Sequence, residues 1–286
     1  VFKISDTSEP EDFIRARHRI SSLLQQHKIS CPRIVPDRKG ERLVTIVSEE
    51  NIPFHAWLIT FIEGRLLSEI SPRPEKLLSN LGAFLGKMDL ALQYIDHPSL
   101  HRYLIWDISN CLDLRQNTDF IRNKEDRNLV YHFFDRFSTG VAPHLSSLRR
   151  QVIYNDANDN NIFIDPSATT VTGIIDFGDM LHAPLINELA IGITYAVMGS
   201  PAPLQAAAAM CRGYHDIIPL QPLEQSLLYD LIAARLCQSV CMSAVATDRD
   251  HDPYVTISER PAWNLLRQWK KIEPSRAEHI FRSTCE

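Results

Sequence analysis

The chain has 286 residues, 44% of them hydrophobic and 23% charged, which is ordinary for a globular protein with a substantial core. A formal net charge of −5 gives no general attraction to nucleic acid or anionic membranes and slightly favours an amine-bearing ligand. No apolar run approaches the ~20 residues of a membrane span and no signal peptide is recognised, so we expect neither nucleic-acid nor membrane binding.

The N-terminal part of the chain reads as strand, helix and then more strands. The first five residues alternate in polarity like a strand, which puts Val1 and Lys3 on one face. A helix is predicted from the acidic segment at 9–12 to about residue 26, because acids in a first turn interact favourably with the helix dipole. Three short strands are predicted at 33–36, 42–47 and 55–62.

The rest of the chain is mostly helical by its pattern. From residue 76 to 95 apolar residues recur at helical spacing, which predicts a long core helix. Further helices are predicted at 128–137, 141–148, 188–198, 203–218, 222–246 and 261–282. The six cysteines form no CxxC pair, and we expect buried free thiols in a reducing cytoplasm.

Polar residues concentrate between residues 152 and 179. Two apolar runs, 161–165 and 171–176, flank the turn-forming cluster Pro-Ser-Ala-Thr-Thr, which predicts a β-hairpin. Its outer ends lie side by side, so Asn161 and Asp176 should be neighbours, with Asp156 in the loop that precedes the first strand. Two carboxylates and an amide oxygen are the kind of ligands that a hard cation such as Mg²⁺ prefers. Such a cation usually binds substrate phosphates as well as the protein ligands. The alternative is a merely polar loop, although a turn rarely needs so many amides and acids.

These residues carry a family resemblance. In protein kinases an Asp, an Asn five residues later and a hairpin ending in Asp-Phe-Gly form the catalytic machinery. Here they read Asp156, Asn161 and Asp176-Phe177-Gly178. With the segment YNDANDNNIFID…GIIDFGD…NELAIGITYAVM, the chain resembles the aminoglycoside phosphotransferase and choline kinase branch of the protein kinase-like superfamily. It most resembles the hydroxylysine kinase-type small-molecule kinases, including kinase domains fused to class III aminotransferases.

The resemblance implies a two-lobe, protein kinase-like α+β fold. Residues 1–64 would form a partial, β-rich N-lobe whose first strands and glycine-rich loop are absent from this sequence. Residues 65–286 would form a larger, mainly helical C-lobe with the catalytic loop and the metal-binding hairpin. A partner or fused aminotransferase domain is implied by the resemblance alone.

The resemblance also assigns catalytic roles. Asp156 would orient the acceptor hydroxyl and take its proton late in transfer, while Asn161 and Asp176 would hold magnesium across the nucleotide phosphates. Tyr154 stands where the family usually has a scaffold His. Glu188 matches the family's structural Asp, which steadies the catalytic loop; a simple N-terminal helix acid explains it equally well.

Nucleotide contacts are implied in the same way. Lys3 would steady the phosphates of ATP or GTP, and Val1 would lie over the base. The backbone of Thr60, Phe61 and Ile62 would meet the adenine edge. The middle of the first helix contains no acid to pair with Lys3, and Glu11 is the nearest. Taken alone, Lys3 is typical of a solvated surface lysine.

Acceptor recognition is predicted from polar residues near Asp156. Oxygen atoms of four residues suit a hydroxyl or ammonium group: Asn155, Asn158, Asp159 and Asp179. Arg235 lies among apolar residues of a predicted helix, so it must find a partner or reach water. It would bind a substrate carboxylate or, more commonly at such positions, form a structural ion pair.

We therefore expect a small-molecule kinase that phosphorylates a hydroxyl of an amino alcohol, hydroxylated amino acid or aminoglycoside-like acceptor. Two alternatives stay open. The missing glycine-rich loop and helix acid favour a kinase-like regulatory module that binds nucleotide, whereas the intact Asp156, Asn161 and Asp176 oppose it. A metal-dependent phosphohydrolase would use the same carboxylates without needing Lys3.

Overall fold

A computed structural model describes residues 1–5, 8–249 and 259–286 of the chain. Within these residues short antiparallel strands are combined with long helices, as expected for an α+β fold. All six cysteines are among the described residues and are free thiols, five of them buried and Cys285 part-buried.

The first sheet is built around one strand. Its members are β1 (Phe2–Ile4), β2 (Ile34–Val35), β3 (Val44–Val47) and β4 (Pro53–Ile59). All three shorter strands pair antiparallel with β4, and Lys3 lies opposite Trp57. Helix α1 (Glu11–Gln26) buries one face that includes Phe13, Ile20 and Leu24. The four strands and this helix occur where the sequence predicted them, with shorter strands.

Two smaller sheets follow residue 64. The first contains β5 (Arg65–Leu66), β7 (Ile162–Ile164) and β8 (Val171–Ile174), and the second pairs β6 (Arg150–Ile153) with β9 (Leu181–Pro184). Strands β7 and β8 form the predicted hairpin, with Ile162 opposite Ile174. Because β4 and β5 join different sheets, the chain changes sheet close to the predicted domain boundary, which stays a prediction.

Helices form the bulk of the second part: α2 (Glu75–Leu92), α3 (Lys124–Arg136), α4 (Ile186–Ala196), α5 (Pro203–His215), α6 (Pro222–Arg249), α7 (Glu259–Trp269) and α8 (Pro274–Thr284). A run of 3₁₀ turns over Ile108–Phe120 was not predicted. The prediction of a single helix at 261–282 is wrong. The chain forms two helices, α7 and α8, and the break lies before Pro274, because proline disfavours the helical conformation in the residue that precedes it. The helix expected at 141–148 consists of 3₁₀ turns at Ala142–Ser147.

Helix α6 is the central helix of the second part. By length and composition alone, its segment Pro222–Thr247 could cross a membrane. However, 78% of the most apolar part of this segment is buried inside the protein. It packs against α4, α7, α8 and the 3₁₀ turns. The same apolar composition is typical of a core helix in a globular protein.

Helices α2 and α5 approach so closely that each needs a glycine at the contact. A Cβ on Gly213 would lie 1.8 Å from the Ser79 carbonyl oxygen, and one on Gly82 would lie 2.0 Å from the Met210 carbonyl oxygen. Backbone atoms cannot move aside like the end of a flexible side chain. The two glycines therefore set the distance between the helices.

We expect Gly213→Ala to destabilise the protein by about 1–3 kcal/mol, because overpacking costs more than the gain in helix propensity. The measurement is the free energy of unfolding from urea denaturation. Gly140→Ala is the matched control, since the nearest atom to a Cβ there is 4.0 Å away. Equal stability of Gly213→Ala and wild type would contradict the close contact.

Candidate active site

Two amide side chains orient the Asp156 carboxylate. Asn161 Nδ2 donates to Asp156 Oδ2 at 2.6 Å and also to the Asp156 carbonyl at 3.2 Å. Asn158 Nδ2 donates to the other carboxylate oxygen at 2.9 Å. Each Asp156 oxygen thus accepts a hydrogen bond from within its own loop, so the carboxylate is held in one orientation while its remaining lone pairs stay available.

The hairpin brings Asp176 to the same place. The Ile175 N–H donates to the Asn161 carbonyl at 3.0 Å, so the end of β8 is fixed beside the start of β7. Asp176 follows with a φ of 60°, in the left-handed region that aspartate adopts more readily than most residues. Its Oδ1 accepts the Gly178 N–H at 3.2 Å. Asp156, Asn161 and Asp176 are therefore gathered by one loop and one hairpin.

Buried groups support this loop from behind. Glu188, in the first turn of α4, is fully buried and accepts the Asn155 N–H at 2.8 Å. Asn155 itself has a φ of 65°. The Tyr154 hydroxyl donates to the Ile175 carbonyl, and its ring packs edge-on against Phe177 with centroids 5.3 Å apart. Tyr154 thus ties the loop that contains Asp156 to the residue before Asp176.

Burial and nearby charges set the ionisation of the site. Burial raises the pKa of Asp156 to about 7, Asp179 and Asp176 act in the same direction, and Arg235 and the Asn158 amide oppose it. Burial also raises the pKa of Asp179, again against Arg235. Arg235 Nη2 lies 3.9 Å from Asp156 Oδ1, and Nη1 donates to the Trp106 carbonyl at 2.7 Å. This guanidinium is the buried counter-charge of the site.

A cleft adjoins the site on the side of the first sheet. It is a cavity of ≈ 480 Å³ between that sheet, α1 and the end of the hairpin. Its lining includes Lys3, Trp57, Arg17, His18 and the segment Asp176-Phe177-Gly178. A ligand in it would therefore lie between Lys3 and Asp176.

Comparison with known proteins identifies the family. The profile of the phosphotransferase enzyme family (APH) matches residues 1–225. The chain belongs to this family. It is 28% identical over 305 aligned positions to hydroxylysine kinase of Bos taurus and 26% identical to that of Mus musculus, in each case over 100% of this chain and 81% of the relative.

Solved structures share the fold. A microcompartment-associated aminopropanol kinase superposes with a TM-score of 0.73 at 16% identity, covering 98% of this chain and 87% of the other. An amicoumacin kinase in complex with AMP-PNP and Ca²⁺ gives a TM-score of 0.68 at 17% identity, over 96% and 84%. The predicted kinase-like fold is confirmed, and this phosphotransferase is an enzyme that acts on a hydroxyl group.

The residues predicted for nucleotide binding are only partly brought together. Lys3 lines the cleft. Val1 does not line it, although its backbone pairs with Ile59, which does. Thr60, Phe61 and Ile62 line a separate depression and not this cleft, so their role in binding the base stays a prediction.

The predicted partner of Lys3 is not found on α1. Glu11 is exposed and lies 2.6 Å from Arg15, on the same helix. Among the lining residues that the structure describes, α1 presents Arg17, His18 and Ser21 to the cleft, none of them acidic. Helix α1 thus contributes a cation, Arg17, to the cleft, and an acid that also lines the cleft, Glu9, precedes the helix and lies 2.7 Å from Arg17.

Most of the predicted acceptor-binding side chains have internal partners, and their role in acceptor binding stays a prediction. Asn155 is fully buried, and only its backbone N–H reaches a partner. Asp159 pairs with Arg73 at 2.7 Å, and Asn158 bonds within the loop. Arg235 is only 2% exposed and lies 3.9 Å from Asp156, which favours the structural ion pair over binding of a substrate carboxylate. Like Asn155, Asp179 makes no side-chain hydrogen bond with the described residues, but it is only part-buried.

Sequence reasoning missed three arginines at the site. Arg73 links Asp159 to the Tyr195 carbonyl, and Arg102 donates to the carbonyls of Gly178 and Met180. Arg17 lies in the cleft. Their partners are distant in sequence, and no local pattern distinguishes such arginines from solvated ones.

Removal of the Tyr154 hydroxyl should loosen the loop. We expect Tyr154→Phe to lower the free energy of unfolding by about 1–2 kcal/mol, because the Ile175 carbonyl loses its buried donor. Tyr94→Phe is the control, since Tyr94 is 90% exposed. Urea denaturation of both variants tests this; equal stability would show that the bond contributes nothing.

His18 should make stability depend on pH. Burial, followed by Arg17, Arg15 and Arg42, lowers the pKa of His18 from 6.5 to about 4. Between pH 6.5 and about pH 4 the imidazole of His18 is therefore protonated in the unfolded chain but neutral in the native state. Because the unfolded state binds more protons in this range, the free energy of unfolding decreases as the pH falls through it.

We expect this effect to amount to at most about 3 kcal/mol. It is measured as the loss in free energy of unfolding between pH 7 and pH 4, by urea denaturation. His18→Gln, which does not titrate, should lose less than wild type. If both lose the same amount, His18 is not the group responsible.

Proposed function

We propose that this chain transfers the γ-phosphate of ATP or GTP to a hydroxyl of a small amine-bearing acceptor, an amino alcohol or a hydroxylated amino acid. The observation that carries the proposal is the convergence of Asp156, Asn161 and Asp176 beside a cleft lined by Lys3. Phosphoryl transfer needs mainly positioning and charge neutralisation, and this group of residues suits both.

The donor set fits a divalent metal such as Mg²⁺. Asn161 uses its Nδ2 to hold Asp156, which leaves its amide oxygen for a cation beside the Asp176 carboxylate. No three His, Cys, Asp or Glu side chains of the described residues form a ready metal cage. That agrees with magnesium, which takes few protein ligands and completes its shell with phosphates and water. When bound, the metal would neutralise charge on the nucleotide phosphates.

Asp156 would act on the acceptor. With its oxygens fixed by Asn158 and Asn161, its free lone pairs can accept the proton of the acceptor hydroxyl. The hydroxyl oxygen bonds to the γ-phosphorus while the bond from that phosphorus to the bridging oxygen breaks, the nucleoside diphosphate leaves with the electron pair, and the hydroxyl proton passes to Asp156 as the new bond forms. The raised pKa of Asp156 suits a group that receives a proton late in transfer.

The acceptor class is supported by relatives and by charge. The bovine and murine relatives are hydroxylysine kinases, and a structural neighbour is an aminopropanol kinase. All three names describe acceptors that carry both an amine and a hydroxyl. Asp179 lies close enough to raise the pKa of Asp156 and makes no side-chain hydrogen bond with the described residues, so it is the residue we propose for the ammonium group.

The first test is acceptor-dependent release of ADP or GDP with magnesium, using a panel of hydroxylated amino acids, amino alcohols and aminoglycosides. Asp156→Asn should lower turnover roughly 10²- to 10⁴-fold while nucleotide affinity changes little, because the variant keeps the shape but loses the base. Asp119→Asn is the control, an exposed aspartate far from the site in sequence.

Asp176→Asn should behave differently. We expect weaker metal-dependent nucleotide binding, and chelation of magnesium by EDTA should abolish turnover of the wild type. Equal loss of nucleotide affinity in the Asp156 and Asp176 variants would contradict this division of roles. Phosphate release without any acceptor would indicate a hydrolase, and nucleotide binding without turnover on any acceptor would indicate a regulatory module.

A further inference from the structure

Helix α1 presents one cation, Arg17, among its described residues that line the cleft. Arg17 lines the cleft together with Lys3 and the segment Asp176-Phe177-Gly178. Its Nη1 lies 3.8 Å from the position that a Cβ on Gly178 would occupy. The guanidinium thus spans from α1 to the end of the hairpin, where the metal-binding residue Asp176 begins the segment.

Packing fixes the Arg17 guanidinium in place. It lies 4.6 Å from the centre of the Phe13 ring and 5.8 Å from that of Trp57, and its side chain is only 12% exposed. Nη2 is 2.7 Å from Glu9 Oε1. Nη2 and Nε are both shielded from solvent, so the ion pair and the packing hold this end of the guanidinium. Nη1 lies toward the end of the hairpin, and a held guanidinium in that position is suited to bind an anion.

The other arginine of the cleft is already committed. Arg102 donates to the backbone carbonyls of Gly178 and Met180 and stacks on Phe13 at 4.0 Å. Burial lowers the pKa of Arg102, Asp179 and Glu9 oppose this, and Arg17 adds to it, so the two guanidinium groups repel each other across the cleft. An anion bound beside Arg17 would relieve that repulsion between Arg17 and Arg102.

We propose that Arg17 is a phosphate-binding residue that contacts the terminal phosphates of the nucleotide beside Lys3. This inference rests on the proposed function, since it names a ligand contact of the same cleft. Helix α1 would then supply a cation directly to the nucleotide rather than an acid to hold the lysine.

The test compares nucleotide and nucleoside. Binding of ATP and adenosine, with GTP and guanosine in parallel, is measured by isothermal titration calorimetry in magnesium for wild type and Arg17→Met. We expect the affinity for the triphosphate to fall at least 10-fold and that for the nucleoside to change less than 2-fold. Arg15→Met is the matched control, because it removes an equal charge from the exposed face of the same helix.

A second variant separates binding from scaffolding. Glu9→Gln breaks the ion pair but leaves the guanidinium, so triphosphate affinity should stay equal or rise. If Glu9→Gln weakens triphosphate binding as much as Arg17→Met, or if Arg17→Met weakens both ligands equally, Arg17 is structural and the inference is overturned. Unchanged triphosphate affinity in Arg17→Met also overturns it. By contrast, a wild type that neither binds triphosphate nor transfers phosphate would refute the proposed function itself.

Discussion

The hydrogen bond from the Asn155 backbone N–H to the buried Glu188 carboxylate is the constraint on which the site depends. A fully buried carboxylate is costly unless it is hydrogen-bonded, and burial raises the pKa of Glu188 while the loop N–H groups of Asn155 and Tyr154 oppose this. The loop must therefore place its N–H groups at Glu188, with Asn155 in a left-handed conformation. Asp156 comes next in the chain, so its position follows from that of α4.

The hairpin is attached to the same point from the other side. The Tyr154 hydroxyl bonds the Ile175 carbonyl, and the Ile175 N–H bonds the Asn161 carbonyl. Ile175 is thus held through both of its backbone polar groups, one by each end of the catalytic loop. Asp176 can adopt a left-handed conformation there because its neighbour is fixed. Phosphotransfer chemistry needs this rigidity, since small displacements of positioning groups reduce rates strongly.

The sequence predicted what depends on local pattern. The hairpin, α1, α2 and the cluster of Asp156, Asn161 and Asp176 follow from turn residues, periodicity and short spacings, and the structure brings that cluster together. The sequence did not predict the ion pair between Asp159 and Arg73, because the two residues are 86 positions apart and no local pattern identifies the partner. The break between the two helices within 261–282 could have been predicted from Pro274, but the helical periodicity on both sides of this proline favoured one continuous helix.

Arg235 shows how a distant helix becomes part of the site. Burial raises the pKa of Asp156 and of Asp179, and the charge of the nearby, exposed Asp176 acts in the same direction on both. The Arg235 guanidinium, from the middle of α6, lies 4.7 Å from the centre of the Trp106 ring and 3.9 Å from Asp156 Oδ1. A buried cation is itself tolerable only because these carboxylates and the Trp106 carbonyl face it. The acidic site therefore explains why α6 carries a buried arginine among apolar residues. The positive charge of the guanidinium compensates the negative charge of the carboxylates that face it.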